Sequence, residues 1–232
     1  MALPILDVPT YELTLPSTGK QITFRPFLVK EHKILMTLAE AEESEVSRVI
    51  TDLVDVCTFK KLNARDLPHF DIEYIFMNLR AKSISETVEV VVTCLNCNKE
   101  YDTFFSIDNL KVEVPNNHNT KILLTNTVGI EMKYPKFDNV IKVFGSDDIE
   151  DVFDMVKKSV KGIFDDEGYW DASEQSDEDI ESFLLQLTKD QFDKIENFFT
   201  SSPKIVQIIE SKCNHCGHEN TSRIEGLQNF FV

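Results

Sequence analysis

The sequence predicts an α+β fold, because its β-type and helical segments are grouped and do not alternate as strand–helix pairs. A β-hairpin pattern opens the chain, helical spacing of apolar residues follows, and a strand–C-x-x-C–strand pattern occurs twice. The 232 residues, of which 42% are hydrophobic and 28% charged, suffice for one sizeable domain or two small ones.

The first predicted element is a β-hairpin in residues 11–27, where the runs YELTL and QITF flank the turn residues Pro-Ser-Thr-Gly. The motif FRPF at its end, residues 24–27, fits either a core position or a contact surface. The following segment, LVKEHKILMTLAEA, predicts a helix from the spacing of its apolar residues, Ile34, Leu35, Leu38 and Ala41.

Two more helices are predicted before the centre of the chain. EVSRVITDLVDVCTF places six apolar residues on one helical face: Val46, Val49, Ile50, Leu53, Val54 and Cys57. We interpret Cys57 as a small core residue. DLPHFDIEYIFMNLRAKSI predicts a helix ending near Ser83, with Asp66 or Asp71 as its N-terminal cap and Pro68 between them.

The centre of the chain is predicted to be rich in β-structure. SETVEVVVTC and EYDTFFSI form a long hairpin with a C-x-x-C at its tip, and three more strands, LKVEVP, TKILLTN and GIEMKYP, continue to about Pro135. From Phe137 the apolar spacing becomes helical in FDNVIKVF, DDIEDVFDMVKKSVKGIF and TKDQFDKIENFFTSSP. The polar stretch beginning DDEGYW is interpreted as an exposed loop, with Tyr169 and Trp170 as its bulky anchors.

A second long hairpin, KIVQIIESKC with NTSRIEGLQNFFV, is predicted to end the chain, again with a C-x-x-C at its tip. Its terminal Leu227, Phe230, Phe231 and Val232 fit either the core or a docking patch. The predicted organisation has an N-terminal α+β region (1–135), an inserted acidic helical lobe (136–202) and a C-terminal hairpin (203–232) that completes a split zinc ribbon with residues 88–106.

The two C-x-x-C tips contain the candidate metal ligands, Cys94, Cys97, Cys213 and Cys216. Two such turns facing each other supply four thiolates in a tetrahedron, the arrangement that a structural Zn²⁺ prefers. Gly217 and Asn98 directly follow the second cysteine of each pair, and both residue types tolerate the positive φ that such turns often need. The sequence therefore predicts a structural Cys₄ zinc site that joins distant parts of the chain.

Three alternatives to this site are weaker. A thioredoxin-like redox pair would lie where a strand meets a helix, and neither tip precedes a predicted helix. Disulfides are disfavoured in a cytosol, where we expect this protein because it shows no signal peptide and no long apolar run. His215 and His218 could be ligands, but four cysteines already fill the shell, so we interpret both histidines as exposed turn residues.

The formal net charge is −16, and residues 146–182 alone carry −11. Such acidity repels nucleic acids and anionic membranes, so it indicates either a solvated surface or a cover for a basic surface on a partner. A closed Cys₄ shell leaves no place for substrate, and the sequence has no P-loop, G-x-G-x-x-G, G-x-S-x-G or H-E-x-x-H motif, so we expect no enzyme. The alternative is a zinc-ribbon adaptor in transcription or nucleic-acid binding, although Lys99, Lys212 and Arg223 form no basic stripe.

Three segments together resemble the baseplate hub family of T4-like (T-even-type) bacteriophages with contractile tails. They are LPSTGKQITFRPFLVKEHKILM near the start, DIEYIFMNLRAKSISETVEV before CLNC, and the terminal CNHCGHENTSRIEGLQNFF. The resemblance covers the two ends of the chain well and residues 145–187 poorly. Its most specific parts are LRAKS before the first cysteine pair and GLQNFF after the second.

The resemblance implies a small late protein that is a hub component or a chaperone-like hub-assembly factor, and not an enzyme. Its expected partners are other phage baseplate hub and tail proteins, with no nucleic acid and no membrane, while its oligomeric state is left open. It implies a location in the host cytoplasm during assembly, with the tail baseplate of the virion as a second expected location.

Overall fold

The computed structural model of the protein describes residues 6–40, 42–107, 110–144 and 148–225. Across these ranges the predicted α+β class is confirmed, with seven α-helices and eleven strands in small antiparallel sheets. The chain forms two compact units, one of Met1–Glu113 with Lys204–Val232 and one of Val114–Pro203. The predicted terminal group Leu227, Phe230, Phe231 and Val232 lies outside the described residues.

The first unit contains two hairpins, three helices and a three-stranded sheet in the order β11-β10-β5. Its elements are β1 (Tyr11–Thr14), β2 (Gln21–Phe24), α1 (Val29–Met36), α2 (Glu43–Cys57), α3 (His69–Ser83), β3 (Thr87–Thr93), β4 (Glu100–Ser106), β5 (Lys111–Glu113), β10 (Lys204–Lys212) and β11 (Glu219–Glu225). β1 pairs with β2 and β3 with β4, so the predicted hairpins are confirmed over these ranges.

Helices α2 and α3 supply much of the buried apolar surface of this unit. On α2 four residues of the predicted inner face, Ile50, Leu53, Val54 and Cys57, are buried, whereas Val46 and Val49 are half-buried. Helix α3 is buried around most of its circumference, including Asp71. Neither Asp66 nor Asp71 is the N-cap residue of α3, since Pro68 occupies that position.

Asp71 has a different function from the predicted cap. Its carboxylate accepts hydrogen bonds from the backbone N–H of Ser17, at 3.0 Å, and from the Ser17 hydroxyl. Burial raises the pKa of Asp71, and the Ser17 hydrogen bonds oppose this rise. The pair joins α3 to the turn between β1 and β2, a non-local contact that the local sequence pattern does not contain.

Helix α1 departs from its predicted apolar face. Ile34 is exposed, Leu35 and Leu38 are half-buried, and Ala41 lies outside the described residues. The buried residue of α1 is instead Glu31, whose Oε1 accepts from Arg25 Nη2 at 2.9 Å. Arg25 is itself buried, and so are Phe24 and Phe27, so FRPF is a core segment.

The second unit is built on one four-stranded antiparallel sheet in the order β6-β7-β8-β9. Its elements are β6 (Lys121–Leu123), β7 (Gly129–Met132), α4 (Phe137–Phe144), α5 (Ile149–Lys158), β8 (Val160–Phe164), β9 (Tyr169–Asp171), α6 (Asp177–Leu185) and α7 (Lys189–Thr200). Its core contains side chains from the sheet and from α5, α6 and α7, including Ile130, Val160, Leu184, Ile195 and Phe198.

The sequence prediction was wrong at SVKGIF and at GYWD, which form strands and not a helix end and a loop. Helix α5 ends at Lys158, and β8 begins at Val160 and pairs with β7. Tyr169, Trp170 and Asp171 then pair with Phe164, Ile163 and Gly162, respectively. The acidic segment therefore contributes two of the four strands of this sheet. β7, from the predicted region 1–135, pairs with β8 across residue 135, and β6 pairs with β7.

Gly162 is required where β8 passes beneath the ring of Tyr169. A Cβ at this position would lie 2.4 Å from Tyr169 Cζ and 2.8 Å from the backbone oxygen of Trp170. The backbone of β9 can move away only at a substantial energetic cost. We expect Gly162→Ala to lower the free energy of unfolding by about 2 kcal/mol, because the strain must be relieved by moving β9. Urea unfolding followed by the fluorescence of Trp170, the single tryptophan, measures it.

Gly168 provides the matched control in the β8–β9 turn. A Cβ there meets nothing within 4 Å, so Gly168→Ala should change the free energy of unfolding by about 0.5 kcal/mol or less. Equal effects of the two substitutions would contradict the packing of Tyr169 over Gly162.

The second unit leaves and rejoins the first at neighbouring positions. β5 ends at Glu113 and β10 begins at Lys204, and these two residues are partners in the antiparallel register of β5 with β10. Two hairpin tips of the first unit carry the cysteine pairs. None of the helices in the described ranges has the length together with the apolar character that crossing a lipid bilayer requires.

Candidate metal centre

The two cysteine turns have the same backbone hydrogen bonds. Between β3 and β4, the N–H of Cys94 donates to the Lys99 carbonyl and the N–H of Asn98 donates to the Cys94 carbonyl, both at 2.9 Å. Between β10 and β11, the equivalent bonds run from Cys213 to His218 and from Gly217 to Cys213, also at 2.9 Å. The repeated C-x-x-C spacing thus corresponds to a repeated turn geometry.

Both turns depend on a residue in the left-handed region of backbone conformation. Asn98 has φ 54° and Gly217 has φ 75°. Asparagine and glycine are the two residue types that adopt this conformation most readily, so the prediction for these positions is confirmed. The turn directs both cysteine side chains of each pair to one side.

The structure brings the four predicted cysteines together. The sulfur of Cys94 lies 3.6 Å from that of Cys216, and the sulfur of Cys97 lies 3.7 Å from that of Cys213. All four sulfurs lie within 4.8 Å of one another. Cys94 and Cys213 are buried, Cys97 is half-buried and Cys216 is exposed.

These distances fit a tetrahedral metal site. Metal–sulfur bonds of about 2.3 Å imply about 3.8 Å between the sulfurs of a regular tetrahedron. A disulfide requires a sulfur–sulfur distance of about 2.0 Å, and all four cysteines are free. The donor set is thus four sulfurs around one point, which zinc and iron both accept.

Asn220 connects the two turns and is a site residue that the sequence analysis missed. It is 3% exposed, and its Oδ1 accepts from the backbone N–H of Leu95 at 3.0 Å. Its Nδ2 donates to the sulfur of Cys94 at 3.6 Å and to the hydroxyl of Tyr101 at 3.0 Å. Outer-shell amides of this kind orient metal ligands, but neither spacing nor periodicity in the sequence singles out this asparagine.

The surroundings of the sulfurs shift the pKa values of Cys94 and Cys97 in opposite directions. Burial raises the pKa of Cys94, but the backbone N–H groups of Cys97 and Asn96 and the amide of Asn220 outweigh it and bring this pKa to about 6. The backbone N–H of Lys99 lowers the pKa of Cys97, yet burial and the three neighbouring sulfurs raise it to about 11. Because like charges at this distance repel, four thiolates require a cation among them.

A redox site is a poorer match to this geometry. Each C-x-x-C lies between two antiparallel strands, whereas redox pairs draw their low pKa from a helix N-terminus. The short sulfur–sulfur distances run between the two turns, from Cys94 to Cys216 and from Cys97 to Cys213. His215 and His218 are exposed, and within the described residues the group that could hold a metal contains neither.

Comparison with known proteins matches the chain to a protein family. The family model described as "T4 bacteriophage base plate protein" matches residues 8–232. A search of curated proteins and a search of solved structures found no match. The match spans both cysteine turns and the whole inserted unit.

Proposed function

The chain belongs to the T4 bacteriophage base plate protein family, and on this premise we propose that it is a non-enzymatic protein of the phage tail baseplate. We propose further that it is a component of the central hub or a factor that assembles the hub, acting through contacts with other baseplate proteins. The observation that carries the proposal is the family match over residues 8–232.

The four-cysteine centre supports a scaffold function. Cys94, Cys97, Cys213 and Cys216 would hold one Zn²⁺ and form a split zinc ribbon from the two hairpins. Four protein ligands complete the coordination shell of a structural zinc, so the ion would supply cross-linking and no reactive position. Zinc would fix the β3–β4 hairpin to the β10–β11 hairpin across the 115 residues that lie between Cys97 and Cys213.

A nucleic-acid adaptor is the alternative function, and the charges around the ribbon oppose it. Arg223, the arginine of strand β11, is engaged by Glu113 at 2.9 Å and by Glu225 at 2.6 Å. Lys204 also contacts Glu225, at 3.4 Å. Nucleic-acid binding depends on Lys and Arg side chains that neutralise phosphates and thereby release the counterions of the nucleic acid, and Arg223 and Lys204 already face carboxylates.

The proposed function is tested in phage-infected cells. Quantitative mass spectrometry of purified hub intermediates, complete baseplates and finished tails should find the protein in at least one of them. A hub component persists into finished tails at fixed stoichiometry, whereas an assembly factor occurs in intermediates and is absent from tails. Absence from all three, together with normal baseplates after deletion of its gene, would overturn the proposal.

A further inference from the structure

The free edge of the sheet in the second unit carries two exposed aromatic rings. β9 is the last strand in the order β6-β7-β8-β9, so the outer backbone groups of β9 have no partner strand among the described residues. Tyr169 is 45% and Trp170 43% exposed. We propose that this edge docks a basic, arginine- or lysine-containing segment of another protein.

The ring of Tyr169 is held in place before any partner arrives. Tyr169 lies over Gly162, as the near-contact of its ring with a Cβ at that glycine shows, and it forms a hydrogen bond with Glu131. Trp170 lies opposite Ile163, which packs against the core of this unit. Because few rotamers are lost on binding, fixed aromatic side chains contribute efficiently to interfaces.

The charges around these rings select the kind of partner. Residues 165–179 contain eight acidic residues and neither lysine nor arginine: Asp165, Asp166, Glu167, Asp171, Glu174, Asp177, Glu178 and Asp179. Within the part of the chain that the structure describes, no ion pair involves any of the eight. Asp165 and Asp171 accept backbone N–H groups of nearby turns. Hydrogen bonds from Ser173, together with the charges of Lys133 and Lys161, lower the pKa of Asp171.

Neighbouring acidic residues of the same unit do have countercharges. Asp151 pairs with Lys142 at 2.6 Å, Asp154 with Lys158 at 2.7 Å, and Glu181 with Lys157 at 3.1 Å. Carboxylates without an ion pair among the described residues are thus concentrated in residues 165–179, the stretch of chain that contains the exposed rings of β9. A cationic segment from outside supplies the missing countercharge, and its guanidinium or ammonium groups can stack on Trp170 and Tyr169.

The same charges exclude other partners. Phosphate groups of nucleic acids and of anionic lipids are repelled by eight carboxylates, and an acidic peptide is repelled likewise. The inference rests on the proposed function only in taking the partner to be a protein. It concerns a surface outside the cysteine centre, so its failure leaves the family membership and the proposed metal site unaffected.

The experiment uses the full-length protein and a fluorescein-labelled twelve-residue peptide of alternating arginine and serine. Fluorescence anisotropy should show saturable binding that weakens by about tenfold between low and physiological salt, since exposed charge pairs are screened. A glutamate–serine peptide is the control ligand. In parallel, unlabelled arginine peptide should change the emission of Trp170, which reports on this strand alone because the chain has one tryptophan.

Two triple variants distinguish peptide binding at this surface from attraction of the peptide by the overall negative charge. Asp166→Asn, Glu167→Gln and Glu174→Gln together should lower the affinity for the arginine peptide by about tenfold. The matched control, Glu89→Gln, Asp102→Asn and Glu210→Gln, removes the same charge from exposed strand positions of the other unit and should leave affinity within about twofold. Absence of saturable binding, or equal weakening by both triple variants, would overturn the inference.

Discussion

Replacing Cys213 with serine is expected to abolish metal binding and to lower the free energy of unfolding by about 4 kcal/mol or more, because the binding energy of a structural metal is folding energy. Serine cannot replace the thiolate, and the remaining three sulfurs leave an open coordination position. The corresponding loss in melting temperature is about 10 °C for a chain of this size. Cys94→Ser should behave in the same way.

Three measurements check this prediction on untagged protein. Elemental mass spectrometry should find about one zinc per chain in the wild type and almost none in the variant. The visible absorption of a thiolate–iron centre distinguishes iron from the colourless zinc. Calorimetry gives the stability, and limited proteolysis should cleave the β10–β11 hairpin in the variant but not in the wild type.

The fifth cysteine supplies a matched control. Cys57 is fully buried at the end of α2, and burial raises the pKa of its thiol to about 11. Cys57→Ala should cost about 1 kcal/mol for the small cavity and leave the metal content unchanged. Metal retained in Cys213→Ser at wild-type stability would refute the site, as would metal lost from Cys57→Ala.

Glu31→Ala is expected to lower the free energy of unfolding by about 3 kcal/mol, because it leaves the buried guanidinium of Arg25 without its countercharge. Glu31 is 3% and Arg25 9% exposed, and their side chains meet at 2.9 Å. The Oε2 of Glu31 also accepts the backbone N–H of Leu28 at 2.7 Å, at the start of α1. Chemical unfolding of variant and wild type measures the difference.

Lys30→Ala is the control for this substitution. Its ammonium lies 3.6 Å from Glu31 Oε1 but is 70% exposed, so its removal should cost about 0.5 kcal/mol or less. A cost for Glu31→Ala no larger than that for Lys30→Ala would show that the buried pair contributes little.

The contribution of Glu31 should also depend on pH. Burial raises the pKa of Glu31, but the hydrogen bonds from Arg25 and Leu28 and the charge of Arg25 outweigh it, so the net shift is below the ordinary value of 4.5. A lowered pKa in the folded state means that the stabilisation is present above pH 4.5 and is lost as the pH falls through the folded-state pKa. The stability difference between wild type and Glu31→Ala should therefore shrink on acidification below pH 4.5 and stay constant near neutrality.

The cysteine turns were predictable because the residues that determine their structure are adjacent in the sequence. The two-residue spacing between cysteines, the strand patterns on either side and the asparagine or glycine that follows are all contiguous in sequence. That the two turns meet followed from chemistry, since four cysteines with this spacing match one tetrahedral ion. In the structure the four sulfurs lie within 4.8 Å of one another, as this prediction requires.

The wrong predictions share a non-local cause. The apolar residues of SVKGIF continue the helical spacing of α5, yet the segment becomes β8 because it pairs with β7, about thirty residues earlier. The buried face of α1 is set by Arg25 on the preceding hairpin, and Asp71 is held by Ser17. Asn220 is likewise defined by Leu95 and Cys94, which lie more than a hundred residues away.

The pairing of Glu113 with Lys204 places the whole of residues 114–203 between two adjacent positions of one small sheet. An inserted unit whose two ends lie this close together can be replaced or deleted without disturbing the surrounding sheet. A short turn would then suffice to connect β5 to β10. Replacing or removing residues 114–203 therefore need not alter the strand pairing that places the two cysteine turns in the first unit.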